Sequence, residues 1–282
     1  MRLERLIGRA AVITGGAGGI GRSIALAMAS AGFDIVIADR ELAPAELVRD
    51  EVRALGRRAI AVETDVADLA SVERLAAISW AEFGSVAVLV NNAGVTWRPY
   101  RASWDASVED FTWIMSVNFG GVLHGHRAFV PRMLEAGLPA HIVNTSSRAT
   151  LQPTPGHSAY AAAKSAIDGF SMTTRAEFAA AGFDIGVTVL HPGPVRTGFS
   201  GSERFRPEHE RSAARSVKPW QEHDGRASTA TGADASGAIA PDIVGRIVLE
   251  AIDGDHPAAL THPTPPAVAE RADWLTRAGA DR

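Results

Sequence analysis

No cysteine occurs among the 282 residues. Disulfides, a thiolate nucleophile and a cysteine-ligated metal are therefore excluded, and a reducing compartment is permitted. The chain also has no excess of positive charge: 28 Lys and Arg face 32 Asp and Glu, a formal charge of −4. With no net field to hold a polyanion, nucleic acid is not expected as a partner. No apolar run approaches the roughly 18 residues that span a bilayer. The start, Met1 to Arg9, mixes Glu4 with three arginines and lacks the apolar centre of a leader. A soluble, cytoplasmic protein without a membrane partner is expected. What is plentiful is core: 46 % hydrophobic against 21 % charged residues describes a globular chain, not a disordered one.

Short apolar runs alternate with helix-length segments. Ala10 to Ile13, Ile35 to Ala38, Ala59 to Val62, Val86 to Val90, His141 to Thr145 and Ile185 to Leu190 read as strands, with a further one near Ala258 to Thr261. Ala45 to Leu55 and Val72 to Phe83 read as helices. This rhythm predicts an α/β fold, a doubly wound parallel sheet of about seven strands, each buried, with helices on both faces. Length alone suggests about two domains at roughly 150 residues each. However, residues 200–237 are rich in charge, Ser, Thr, Gly and Pro, and the 45 residues beyond them are too few for a second core. A single catalytic domain over residues 1–282, with a substrate lid at about 198–237, is the expected organisation.

The first strand runs into Thr14-Gly15-Gly16-Ala17-Gly18-Gly19-Ile20-Gly21 and then a helix. Gly15, Gly19, Ile20 and Gly21 are placed to let backbone approach a pyrophosphate at the helix N-terminus, which makes the sheet one of Rossmann type. The motif lacks the Lys-Ser/Thr ending of a nucleotide-triphosphate loop. Asp39 closes the second strand, where a carboxylate can accept hydrogen bonds from an adenosine ribose and repel a 2′-phosphate. Arg40 beside it could pair with that phosphate instead; NAD is favoured over NADP.

Tyr160-Ala-Ala-Ala-Lys164 sets a phenol and an ammonium four residues apart on one helical face. A phenol titrates near 10, so serving as a base at neutral pH requires its anion to be favoured by about 4 kcal/mol. Lys164 and an oxidised nicotinamide both act in that direction. Ser147 stands 13 residues before Tyr160 at the end of a strand, and Asn91-Asn92-Ala93-Gly94 ends the preceding one. With Asp65, Asn118 and Pro192-Gly-x-Val-x-Thr197, the ordered set resembles the short-chain dehydrogenase/reductase family along nearly the whole chain.

That resemblance implies Tyr160 as acid/base, Ser147 as the hydroxyl holding the substrate oxygen, and Lys164 as the group that lowers the phenol pKa and grips ribose. Asn118 is implied as the fourth member, supporting a water chain from the lysine to solvent. Ser146 rivals Ser147, but only the second serine has the family's spacing to the tyrosine. Asp65 and Val66 are implied beside the adenine, Asn92 on the ribose side, and Pro192, Gly193, Val195 and Thr197 along the nicotinamide. The family also implies a homotetramer or homodimer that pairs the helices around Asn118 and Tyr160.

The substrate walls are expected in Val95 to Trp104, Arg148 to His157 and Phe199 to Trp220, which carry Trp97, Tyr100, Trp104, Leu151, Phe199 and Phe205. They favour a hydrophobic secondary alcohol or ketone, aromatic or cyclic, and the segments around Phe111 to Asn118 and Phe129 to Met133 are similar to a subgroup acting on bulky hydrophobic alcohols. Arg148 and Arg196 are candidates to meet a substrate carboxylate. A dinucleotide-binding sensor without turnover is the alternative reading. No metal is expected, since His124 and His126 do not share a helical face.

Overall fold

The computed structural model describes residues 1–97, 100–208 and 237–280, with side chains as far as residue 273. Seven parallel strands form one sheet in the order β3-β2-β1-β4-β5-β6-β7. They are β1 (Ala10–Thr14), β2 (Asp34–Asp39), β3 (Ala59–Glu63), β4 (Val86–Asn91), β5 (Ala140–Thr145), β6 (Ile185–His191) and β7 (Ala258–Leu260). Between and after them run α1 (Gly19–Ser30), α2 (Leu42–Ala54), α3 (Leu69–Phe83), α4 (Val108–Ala136), α5 (Ser158–Ala181), α6 (Pro241–Asp253) and α7 (Pro266–Ala280). No helix among the described residues is long and apolar enough to cross a membrane.

The apolar runs serve two faces at once. In β1, Ala11 and Ile13 join a cluster with Ile24 and Met28 of α1, Val48 of α2 and Val244 and Val248 of α6. Ala10 and Val12 of the same strand point the other way, into a cluster with Leu75 of α3, Phe129 and Met133 of α4 and Phe178 of α5. Strand residues alternate between faces, so a strand covered on both sides must be apolar throughout. The two edge strands depart from the expectation of full burial: only Ala59 of β3 and Ala259 of β7 are fully buried. An edge strand has one neighbour to shield it, and Glu63 and Ala258 face solvent there.

Successive strands step outward from β1 to β3, and the chain then returns to place β4 on the other side of β1. At that reversal, the connections leaving the carboxyl ends of β1 and β4 diverge and open a crevice. The long α4 starts beside it through a reciprocal cap, in which Ser107 Oγ accepts from the Asp110 N–H and the Asp110 carboxylate accepts from the Ser107 N–H.

Candidate active site

The turn after β1 is shaped by its glycines. Gly19 adopts φ +52°, a left-handed conformation that a side chain disfavours, and a Cβ on Gly21 would collide with the Gly15 carbonyl. Ile20 packs its half-buried side chain on the core beneath α1. The N-terminus of α1 has no side-chain cap, so its first N–H groups face the crevice as an anion cradle would require. Across the crevice, Asn92 Nδ2 donates to the carbonyls of Thr14 and Gly15 at 3.0 and 3.3 Å. Thr14 Oγ1 accepts from the Asn92 and Ala93 N–H groups at 3.0 and 3.1 Å. These bonds lock the ends of β1 and β4 together, and the Asn92 amide is engaged with the glycine turn itself.

Asp39 stands at the end of β2 with Oδ2 accepting from the Ala17 N–H and Oδ1 from the Glu41 N–H, both at 3.0 Å. Burial pushes its carboxyl above the ordinary range, and the backbone N–H bonds oppose that. Arg40 donates to the Phe205 carbonyl at 3.0 Å and lies 3.9 Å from Asp65. Those residues border a polar cleft with Glu63, Asp68, Ser71 and Arg74. Asp65 Oδ1 caps the Ala67 N–H, and Val66 packs on Gly121 while its carbonyl meets His124 Nδ1 at 2.8 Å. Among the nicotinamide-side residues, the Pro192 carbonyl accepts from the Arg148 N–H and the Gly193 N–H donates to Thr261 Oγ1, both at 2.9 Å. Val195 bridges to Ile239, and Thr197 lies against Gly19, so this segment closes onto the glycine turn.

At the ends of β4 and β5 the structure brings together Asn118, Ser147, Tyr160 and Lys164. The Ser147 hydroxyl lies near enough to the Tyr160 phenol to favour its anion, and Ser147 Oγ accepts from the Ala149 N–H at 3.1 Å. The neighbouring Ser146 hydroxyl donates to the Lys164 carbonyl at 3.2 Å. Lys164, 3 % exposed, donates to the Thr145 carbonyl at 2.7 Å and stands 5.7 Å from the centre of the Tyr160 ring. Asn118 is fully buried and exchanges two 2.9 Å bonds with the backbone of Val95. Gly94 fills the gap between Asn118 and Lys164, where a Cβ would stand 2.7 Å from Asn118 Oδ1 and 3.5 Å from Lys164 Nζ.

Burial dominates the electrostatics of both Tyr160 and Lys164. Burial pushes Tyr160 up to about 12; the Ser147 hydroxyl opposes this, and nearby Tyr100 reinforces it. Burial also brings Lys164 down to about 7, against the attraction of Asp168 one turn further along. The ammonium is spent on Thr145, and both groups sit where charge is poorly solvated.

The substrate walls divide. Tyr160 meets the Phe199 ring at 6.0 Å and the His157 ring at 6.0 Å, and Tyr100 packs edge-on against His157 at 4.1 Å. Trp97 is a buried strut, its Nε1 donating to the Gly156 carbonyl at 2.9 Å. Trp104 is 72 % exposed and forms no wall, because its turn precedes α4 on the outside. Leu151 is half-buried. Arg196 fastens the Ala238 carbonyl at 2.7 Å instead of facing a substrate carboxylate. Of the expected lid, residues 198–208 and 237 are described; the remainder, including Trp220, lies outside the described residues. Its described start is tied down: Ser202 and Thr96 exchange bonds of 2.8 and 3.0 Å, and Arg204 pairs with Glu41 at 2.7 Å.

A buried charge cluster went unforeseen. Asp110 at the head of α4 pairs with Arg101 and, at 2.5 Å, with Arg206; all three are 2 % exposed or less. It ties the segment after β4 and the start of the expected lid to one carboxylate. The Ser107-x-x-Asp110 cap was a visible signal for Asp110, whereas nothing in sequence linked it to a residue 96 positions away. A second network underpins the ends of β4 and β5: Asn144 Nδ2 reaches His126 Nε2 at 3.1 Å and Ser171 Oγ at 2.9 Å, and Asn144 Oδ1 accepts from Asn91 Nδ2 at 2.8 Å.

A family model described as short chain dehydrogenase matches residues 9–207. Over 193 residues, 68 % of this chain, it is 39 % identical to "Probable oxidoreductase EphD" of Mycobacterium tuberculosis, and the match spans only 32 % of that relative's length. It is 37 % identical over 189 residues to 1-deoxy-11-beta-hydroxypentalenate dehydrogenase of Streptomyces exfoliatus, covering 67 % of this chain and 68 % of that one. Among solved structures, a short chain dehydrogenase/reductase from Burkholderia phymatum in complex with NAD superposes with a TM-score of 0.83 at 37 % identity, covering 92 % of this chain and 90 % of that one.

Proposed function

The chain belongs to the short-chain dehydrogenase family, and on that premise we propose that it transfers a hydride between NAD and a hydrophobic, ring-bearing secondary alcohol or its ketone, with Tyr160 as acid/base. The observation that carries this reading is the meeting of Ser147, Tyr160 and Lys164 beside the glycine turn at the sheet's reversal.

The residues present fit a dinucleotide: a glycine turn with no room for side chains, an uncapped helix N-terminus and a carboxylate at the end of β2. Gly15, Gly19, Ile20, Gly21, Asp39, Asp65, Val66 and Asn92 would hold its adenosine and pyrophosphate, and Pro192, Gly193, Val195 and Thr197 its nicotinamide. Glu63, Asp65 and Asp68 outnumber Arg40 and Arg74 around the cleft, and with the Asp39 carboxylate at the end of β2 they support NAD over NADP because a 2′-phosphate would be repelled. When bound, NAD supplies the hydride acceptor and a positive charge close to the phenol.

In oxidation, the Tyr160 oxygen takes the proton of the substrate hydroxyl; in reduction it returns one to the substrate oxygen. The Ser147 hydroxyl donates to that oxygen as its charge grows, and it also steadies the phenolate. Lys164 would hold the cofactor ribose and supply cationic charge. Asn118 fixes the Val95 backbone beside the lysine. The rings of Phe199, Tyr100 and His157 near Tyr160 support a flat or cyclic hydrophobic substrate, as does the cyclic alcohol dehydrogenase function suggested by the Streptomyces relative. One catalytic domain with residues 198–237 as lid fits the ties from Ser202, Arg204 and Arg206 to the neighbouring loops.

A second copy of the chain is the proposed macromolecular partner, in a dimer or tetramer. An apolar groove on α4, bordered by Val108, Phe111, Met115 and Phe119, opens to the surface, and Met172 on α5 is 68 % exposed. A panel of cyclohexanol, 1-indanol, 1-phenylethanol and 2-octanol, each with NAD and with NADP, tests the reading by absorbance of the reduced nicotinamide. Fastest NAD-dependent turnover of a ring-bearing alcohol is expected; no turnover of any member, in either direction, contradicts it.

A further inference from the structure

Thr261 and His262 follow β7 at the edge of the sheet, and folding sets both against Gly193. In Pro192-Gly193-Pro194 only the glycine has a backbone N–H to give. That N–H donates to Thr261 Oγ1 at 2.9 Å, Thr261 Oγ1 stands 2.7 Å from His262 Nδ1, and His262 Nε2 stands 3.0 Å from the Gly237 carbonyl. A carbonyl only accepts, so Nε2 carries the proton that meets it. With that one proton on the ring, Nδ1 accepts from the Thr261 hydroxyl, which itself accepts from Gly193. Each donor thus has an acceptor along the whole chain, and bonds so aligned reinforce one another. The His262 ring also occupies the space over Gly193, where a Cβ would stand 2.4 Å from Nδ1. Gly193 has no left-handed φ, so the ring and not the backbone angle demands glycine there.

The same segment is held further along. Val195 bridges Ile239, the Arg196 N–H donates to the Ile239 carbonyl at 3.0 Å, the Ile239 N–H donates to the Pro194 carbonyl at 3.1 Å, and the Arg196 guanidinium donates to the Ala238 carbonyl at 2.7 Å. His262 therefore grips residues 192–197 at Gly193 and, at Gly237, the stretch that pairs with them. We propose that Thr261 and His262 are positioning residues for the nicotinamide half of the cofactor, setting through Gly193 how that segment meets the ring. This rests on the reading of Pro192, Gly193, Val195 and Thr197 as the nicotinamide's neighbours. Hydride transfer needs its two carbons held in a narrow range of distance and angle, so a small displacement of the ring costs rate as well as affinity. The adenosine end is held elsewhere, by the glycine turn and Asp39 at the ends of β1 and β2, and does not depend on this brace.

Comparing NAD with ADP-ribose, which lacks the nicotinamide, isolates this half of the site. Thr261→Val keeps the side-chain shape and leaves the Gly193 N–H without its acceptor. Titration calorimetry should show its Kd for NAD raised by about tenfold and its Kd for ADP-ribose unchanged. Thr261→Ser restores the hydroxyl and should bind NAD as the wild type does. At saturating NAD, kcat with the fastest of cyclohexanol, 1-indanol and 1-phenylethanol should fall in Thr261→Val and recover in Thr261→Ser. His262→Phe keeps a ring over Gly193 and the Thr261 bond but loses both nitrogens; it should weaken NAD in the same sense, and it carries the comparison if Thr261→Val does not fold. Equal weakening of NAD and ADP-ribose would make the pair a support of the fold alone and overturn the proposal, as would unchanged NAD binding and kcat. Wild-type protein that binds neither ligand would overturn it by a separate route, before any substitution, by removing the cofactor reading on which it rests.

Discussion

Lys164 donates its ammonium to the carbonyl oxygen of Thr145 at 2.7 Å, at the end of the strand that carries Ser147. This bond anchors α5 to β5 and fixes how far the ammonium stands from the phenol. Burial brings the lysine down to about 7, so in the protein alone the ammonium is lost as pH rises through neutrality. Lys164→Met keeps the aliphatic stem and removes charge and donor. It should reduce kcat/KM by on the order of a hundredfold or more and weaken NAD binding, while circular dichroism stays that of the wild type.

Asp39 offers both oxygens to backbone N–H groups, those of Ala17 in the glycine turn and Glu41 at the head of α2. Replacing it with Ser removes the negative charge and retains a small acceptor. The ratio of kcat/KM for NAD over NADP should fall by about tenfold to a hundredfold, which is about 1.4 to 2.7 kcal/mol. Steady-state kinetics with both cofactors measures it. A wild-type preference for NADP would contradict the role given to this carboxylate.

Asp110 balances two buried guanidiniums. Asp110→Asn leaves them without their carboxylate, and the cost should be about 3–5 kcal/mol, seen as a clear loss in denaturant midpoint. The exposed neighbour substitution Asp105→Asn should change little. The arginines hold the Asp110 carboxyl below the usual range despite its burial. The stability it adds is therefore present above the ordinary carboxylate pKa and is lost as pH falls through the depressed one.

Two buried histidines set a second acid sensitivity. Burial holds His126 down at about 4 and His141 at about 3, both below the ordinary 6.5. The unfolded chain takes up their protons first, so stability should decline as pH drops from about 6.5 toward 4, by about 3 kcal/mol from His126 alone. Melting temperature against pH checks this, and His126→Gln should flatten part of the slope.

Much of the frame was legible because each piece has a local cause. A strand covered on both faces must be apolar throughout, so β1, β2, β4, β5 and β6 stood out within a residue or so of their observed ends. The glycine turn was legible because no side chain fits there, and the i, i+4 placement of Tyr160 and Lys164 follows from helix geometry. What stayed hidden depends on long-range encounters. Arg206 meets Asp110 only because the segment after β6 crosses to the head of α4, and Trp104 lies outside the crevice although Tyr100, four residues earlier, lies within it. The field around Tyr160 was also not readable in sequence, since it depends on how deeply α5 and the segment after β4 bury it.

Tyr160→Phe is the most direct test of the central claim, because it removes one oxygen and leaves the ring in its cluster. Measured side by side, NAD-dependent turnover should fall by about a hundredfold to ten-thousandfold while the dissociation constant for NAD changes little. Turnover near the wild-type level in that variant, with NAD still bound, would contradict the account.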